Sequence, residues 1–185
     1  MQRKHLDSMP CPIARSLERV GEWWSILILR DALHGLRRFD EFQKSLGIAP
    51  NMLTRRLNAL VDAGLLERRR YSERPPRYEY VPTMRGRDFR PVLIALLAWG
   101  NKHFAPEGAS VQLIDTVTGA AVDPIMVDGA TGRPIKAPEY AFAPGPAAPE
   151  RTRRRYASIA REKVPAEQPR VPTKAEHATR KRSVP

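Results

Sequence analysis

Residues 47–70 read GIAPNMLTRRLNALVDAGLLERRR. A glycine leads into Pro50, whose missing amide hydrogen costs nothing in the first turn of a helix and whose fixed φ suits that position. From there Leu53, Leu57, Leu60 and Val61 share one helical face. Asn51, Arg55, Asn58 and Asp62 lie opposite, with Thr54 at one border and Arg56 on the other side, towards the apolar flank. Gly64 stops the pattern, and the chain turns β-like and basic. A short helix with a polar, basic start, followed at once by a basic strand, suits a helix that enters a DNA groove and a strand that begins a wing beside it. A charged face taken alone is as well explained by solvation, so the neighbouring elements decide.

Upstream, Ile13, Leu17 and Val20 recur at helical spacing, Gly21 interrupts, and Trp24, Leu27, Ile28 and Asp31 continue a second helix towards Gly35. Residues 37–39 suit only a turn or a brief strand. Asp40 is expected to cap the next helix with Gln43 as its capping-box partner, and Phe42 and Leu46 give that helix its buried side. Gly47 then makes the turn. A capped short helix, a glycine turn and a second helix with a basic start make a helix-turn-helix, whose second helix presents its N-terminal residues to bases.

Downstream, residues 66–71 and 77–81 read as two strands. Pro75 and Pro76 argue against a tight two-residue hairpin and predict a longer, stiff loop over 72–76. Arginines at 68, 69, 70, 74 and 77 equip this ribbon to meet phosphates or a minor groove. Thr83 can cap a further helix, with Pro91 marking a kink or restart. Phe89, Val92, Leu93, Leu96, Leu97 and Trp99 cover more than one face of it. The surplus predicts a partner subunit, against the alternative of burial in a monomeric core.

The 185 residues allow one domain with long appendages or two small ones, and the net charge of +12 is uneven. Residues 1–104 carry +8, residues 105–150 carry −4 and residues 151–185 carry +8, which fits a polyanion partner. The single cysteine, Cys11, excludes an internal disulfide framework and cannot build a four-ligand zinc site alone. His5, His34 and His103 are scattered and suggest no metal cluster. No nucleophile–base pair, phosphate loop or metal constellation supports an enzyme, and no cofactor is implied. The start, MQRKHLDSMP, lacks the apolar run of a secretory signal. The apolar stretch 92–99 is far short of the ~20 residues that span a bilayer. No membrane partner is therefore expected, and the expected location is cytoplasmic.

Residues 11–104 together resemble the HxlR-type winged helix-turn-helix transcriptional regulators of bacteria. The resemblance rests on Cys-Pro at 11–12, Trp24 with Ile28-Leu29-Arg30-Asp31, and Arg38-Phe39 with Glu41. It continues in Leu53-Thr54 with Arg56-Leu57, the Pro75-Pro76 wing, and Trp99-Gly100 with His103. It implies a homodimer held by the first and last helices and bound to palindromic operator DNA. By position it makes residues 50–63 the recognition helix, Asn51, Thr54, Arg55 and Arg56 its readers, and residues 68–80 the wing, with Arg68, Arg70, Arg74 and Arg77 as wing contacts. Two departures stand out: Glu22-Trp23-Trp24-Ser25 replaces a common Lys-Trp pair, and the chain runs well past the usual end. Some members sense oxidants or electrophiles through a cysteine placed like Cys11. A helix N-terminus stabilises a thiolate, with Arg15 one turn along, but a cysteine is often a small buried apolar group and no second one exists here.

Residues 105–150 hold a repeat, LIDTVTGAAVDP and MVDGATGRPIKA, each with an apolar-Asp-x-x-Thr-Gly pattern that reads as a hairpin turn. Two hairpins predict a small sheet; a linker with chance similarity is the alternative. Relatives with such an extension carry cysteines where this chain has Thr118 and Thr131, so no metal is expected. From residue 141 the composition becomes Pro-rich and basic, which predicts disorder and added non-specific attraction to DNA.

The expected fold is thus mainly α with a small β wing. A winged helix-turn-helix domain for DNA binding and dimerisation spans 1–104, a small β-hairpin extension 105–140 and a disordered basic tail 141–185. The expected function is a sequence-specific, dimeric regulator of transcription on double-stranded DNA, acting as a repressor at palindromic operators. The alternative is an architectural or protein-interaction winged-helix module with non-specific DNA binding. Any small-molecule or redox effector is not legible.

Overall fold

The structure is a computed structural model that describes residues 6–162. Its elements run α1 (Pro12–Val20), α2 (Trp23–Leu33), α3 (Phe39–Leu46), α4 (Pro50–Asp62), β1 (Leu66–Glu73), β2 (Pro76–Pro82), α5 (Met84–Arg87), α6 (Arg90–Phe104) and α7 (Glu150–Glu162). Mostly helical and carrying one antiparallel two-stranded hairpin, residues 12–104 form a winged helix-turn-helix.

The core follows from the apolar spacing. Ile28 and Leu29 of α2 are fully shielded, as are Phe42 of α3 and Leu53, Leu57 and Leu60 of α4. Leu65, Leu66 and Tyr80 close the core from the hairpin side. Gly47 takes φ 61° between α3 and α4, a left-handed conformation that glycine adopts without steric cost. Pro50 opens α4 as expected.

The cap of α3 differs from expectation. Asp40 lies inside the helix, and the carboxylate of Glu41 reaches back to accept the amides of Arg37 and Arg38 at 2.8 and 2.9 Å. Helix α3 starts two residues earlier than an Asp40 cap would allow, at Phe39, so the residue three beyond the cap is Glu41 rather than Gln43. The brief strand at 37–39 is present as a bridge between Arg38 and Glu79, with the Tyr80 amide donating to the Arg37 carbonyl at 2.8 Å.

The wing turn is also tighter than expected. Glu73 pairs with Pro76, leaving only Arg74 and Pro75 in the turn. The Arg74–Pro75 peptide bond is cis, the form in which proline fits the third position of a tight turn. Thr83 then caps α5: its hydroxyl accepts the Gly86 amide at 3.1 Å and donates to the Gly64 carbonyl at 2.7 Å. The helix restarts at Arg90 with Pro91 in the first turn of α6.

Residues 105–140 contain the two expected turns but no extended sheet. Each is closed by one bridge, Ile114 to Ala121 and Val127 to Pro134. Asp115 accepts the amides of Val117 and Thr118, and Asp128 accepts the Ala130 amide and the Thr131 hydroxyl. Among the described residues no group of three or more His, Cys, Asp or Glu side chains is placed to hold a metal ion.

Residues 142–162 belong to a separate compact unit. There the expectation of disorder is corrected over residues 150–162, which form α7. No proline falls in that stretch, Glu150 carries the N-terminal charge a helix favours, and it pairs with Arg154 one turn on at 2.8 Å. The expectation for 163–185 lies outside the described residues, as does that for residues 1–5.

Candidate nucleic-acid interface

Helix α4 is held by Leu53, Leu57 and Leu60 and turns Asn51, Thr54, Arg55, Asn58 and Asp62 to solvent. Thr54 donates its hydroxyl to the Pro50 carbonyl at 2.9 Å, which leaves the oxygen free to accept a hydrogen bond. Among the described residues the Arg55 side chain makes only a weak contact, 3.4 Å to the Met52 sulfur. Its guanidinium is therefore only weakly restrained.

Arg56 is different. Its Nη2 donates to Glu22 at 3.0 Å, with the arginine side chain 15% exposed, and its Nε is buried without a partner. Any phosphate contact from Arg56 requires it to leave that pair. Glu22 is one of the residues where the sequence departs from its resembled family, and its partner lies 34 residues further along the chain.

The wing sorts its arginines into two groups. Arg68 stacks on Tyr78 with 3.7 Å between its guanidinium carbon and the ring centroid. Arg69 pairs with Glu67 at 2.7 Å, and that hydrogen bond holds the Glu67 carboxyl below its ordinary pKa. Arg70 pairs with Glu73 at 3.1 Å and donates to the Ser72 and Glu73 carbonyls. Arg74 and Arg77, at the tip, are exposed and show no ion pair or hydrogen bond among the described residues. Arg38, which sequence reasoning did not single out, packs over Tyr71 at 5.0 Å and so joins the start of α3 to the wing.

The helix-turn-helix is tied to α2 by a buried carboxylate. Asp31, 4% exposed, accepts the Ser45 hydroxyl at 2.7 Å and the Arg30 guanidinium at 2.8 Å. Cys11 is the half-buried N-cap of α1. Arg15, the cation expected beside it, donates its Nε to the Met9 carbonyl at 2.9 Å.

Two outer faces remain apolar. Ile13 and Leu17 of α1 are exposed, and α6 buries none of its residues while exposing Val92, Leu96, Trp99 and Phe104.

A polar helix braced on a leucine face, with a basic hairpin alongside, defines a DNA-binding winged helix. Comparison with known proteins agrees. The profile of the HxlR-like helix-turn-helix family matches residues 19–108. The uncharacterized HTH-type transcriptional regulator Rv3095 of Mycobacterium tuberculosis is 39% identical over 135 residues, covering 72% of this chain and 85% of that protein. Among solved structures, PA1374 of Pseudomonas aeruginosa, assigned as a transcription factor, is 64% identical with a TM-score of 0.59, covering 78% of this chain and 99% of that one. PA1607, likewise assigned as a transcription factor, is 39% identical with a TM-score of 0.66, covering 74% and 96%. The chain belongs to the HxlR-like helix-turn-helix family of DNA-binding transcriptional regulators, which are not enzymes. Among the described residues no helix is long and apolar enough to cross a membrane.

Proposed function

We propose that the protein is a dimeric repressor that occludes palindromic operators. The observation that carries this reading is the exposed row of Asn51, Thr54 and Arg55 at the start of α4, together with the wing-tip Arg74 and Arg77, whose side chains show no ion pair or hydrogen bond among the described residues. The first group suits base readout and the second phosphate contact. The exposed faces of α1 and α6 supply an apolar surface for a second copy, and such a dimer would read two major-groove segments about 34–36 Å apart, one turn of DNA.

The test is selection of bound fragments from the parent genome, followed by competition with unrelated duplex. A regulator retains one inverted-repeat site against excess competitor and shuts down a reporter carrying it. An architectural module, the alternative reading, is displaced equally from every sequence. Cys11, at a helix N-terminus, is the proposed point of oxidant control. Cys11→Ser is expected to bind operator normally under reducing conditions and to lose any release by diamide. Equal release of both proteins ends that part of the proposal.

A further inference from the structure

A half-open groove of about 660 Å³ lies between α2, α6 and residues 110–113. Leu27 of α2, Leu93, Ile94 and Leu97 of α6, and Leu113 line it. The third wall is fixed by one bond: the Asn101 side-chain amide donates to the Val111 carbonyl at 2.8 Å. Arg30, His34 and Arg90 also reach the groove. Its one acid, Asp31, already holds Arg30 and Ser45, while Arg90 is exposed and shows no ion pair or hydrogen bond among the described residues.

We propose that this groove is a binding site for an amphipathic organic anion, a rigid apolar body of aromatic or alicyclic type bearing one carboxylate or sulfonate. Size and charge argue for this occupant over a second copy of the chain. Ligand pockets run to about 300–1,000 Å³, with apolar walls and a few polar groups that set orientation. The apolar body lies against the leucines and the acid meets Arg90. The outward face of α6, with Val92 and Trp99, is left for the partner subunit.

The position gives such a ligand leverage. One wall, α2, is tied through Asp31 and Ser45 to the first helix of the DNA-reading pair, and the other, α6, carries the proposed dimer surface. A ligand that changes the separation of these walls shifts the spacing of the recognition helices. This role rests on the regulator reading above; the site itself does not.

The experiment uses the full chain without DNA and anilinonaphthalene sulfonate as a fluorescent probe, with 2-naphthoate and its neutral alcohol analogue as competitors. One saturable probe per protomer is expected, displaced by 2-naphthoate at least tenfold more effectively than by the alcohol. Leu97→Trp, which fills the groove, and Leu113→Trp, which fills it from outside the winged helix, should each abolish that binding while dimer mass is kept. Arg90→Glu should weaken it about tenfold or more. Binding untouched by both tryptophans overturns the site, because the probe then lies on other exposed apolar surface. Equal displacement by the alcohol overturns the anion assignment. Loss of the dimer in both tryptophan variants overturns the proposal in favour of a second copy in the groove. A chain that binds probe in this way but selects no DNA fragment defeats the regulator reading and leaves the groove standing.

Discussion

In the winged helix, Ile28, Leu29, Phe42, Leu53, Leu57 and Leu60 are completely withdrawn from water, whereas none of residues 105–140 is buried. Ile114, Val122, Ile125, Met126, Val127 and Ile135 of the extension are all between 41% and 68% exposed. Its shape comes from local hydrogen bonds instead: the Asp115 and Asp128 carboxylates each gather donors two and three residues ahead, and backbone amide bonds hold the Asp115 and Asp128 carboxyls below their ordinary pKa. One region is ordered by burial across sequence-distant elements, the other by short-range turns. Burial is cooperative, so a lost core contact is felt throughout, while a lost turn stays where it occurs.

The largest effect that would break this contrast is in the core. Leu57→Ala should lower the stability of the whole winged helix by about 2–5 kcal/mol, the range for deleting a fully buried leucine. Gly132→Ala places a side chain at φ 68°, a left-handed conformation costing ~1–2 kcal/mol outside glycine. Its damage should be confined to the turn at 128–135, seen as faster amide exchange there, with the main melting transition unmoved. A matching fall in both melting temperatures would show that the extension shares the core.

A second contrast lies within the DNA face. Arg55→Ala should cost ~1–3 kcal/mol on operator and little on random duplex if Arg55 reads a base by a bidentate contact, as proposed. Arg77→Ala should weaken both duplexes alike and lower the log–log salt slope by about 0.9, one phosphate's worth. Equal losses on both duplexes for both variants would remove the division of labour between helix and wing.

Arg56 sharpens that division from inside. Since Glu22 holds it at 3.0 Å, Arg56→Ala should appear first as about 1 kcal/mol of stability, the upper end for a partly exposed ion pair. Operator affinity should fall less than for Arg55→Ala. Unchanged denaturant midpoint with a large loss of DNA affinity would return Arg56 to direct phosphate contact.

Much of this was legible in residues 47–70, because helical leucine spacing and Pro50 are local signals with a single physical reading. The apolar surplus of α6 was legible as well, since no monomeric core accounts for it. The wing turn was misjudged because two adjacent prolines argue against a two-residue turn, whereas the strand pairing continues as far as Glu73 and Pro76. The Glu22–Arg56 pair joins residues 34 apart in sequence, so no local pattern announces it. Helix α7 was hidden by the prolines on both sides of it, which colour the composition of the segment but do not interrupt residues 150–162.

The smallest expected effect concerns the carboxylate that replaced the expected Asp40 cap. The Arg37 amide, then the Arg38 amide, holds the Glu41 carboxyl below its ordinary value of 4.5. A depressed carboxylate contributes stability that is present above the unfolded-state pKa and is lost as pH falls through the folded one. Wild type should therefore exceed Glu41→Gln in stability near neutral pH, by less than ~1 kcal/mol for so exposed a cap. The gap should narrow as pH drops through about 4.5 and vanish once the carboxylate is protonated in the folded state as well. Glutamine keeps one acceptor oxygen, so the fold and the Gly47 turn remain, and only the charge-dependent part is removed. Glu67 titrates in the same acid window through its bond to Arg69, but it does so in both proteins and cancels from the difference. Parallel urea titrations between pH 3 and 8 measure that difference directly. A gap that stays constant across the range would mean the Glu41 carboxylate does not anchor the start of α3. A gap that widens in acid would mean its charge opposes the helix it caps.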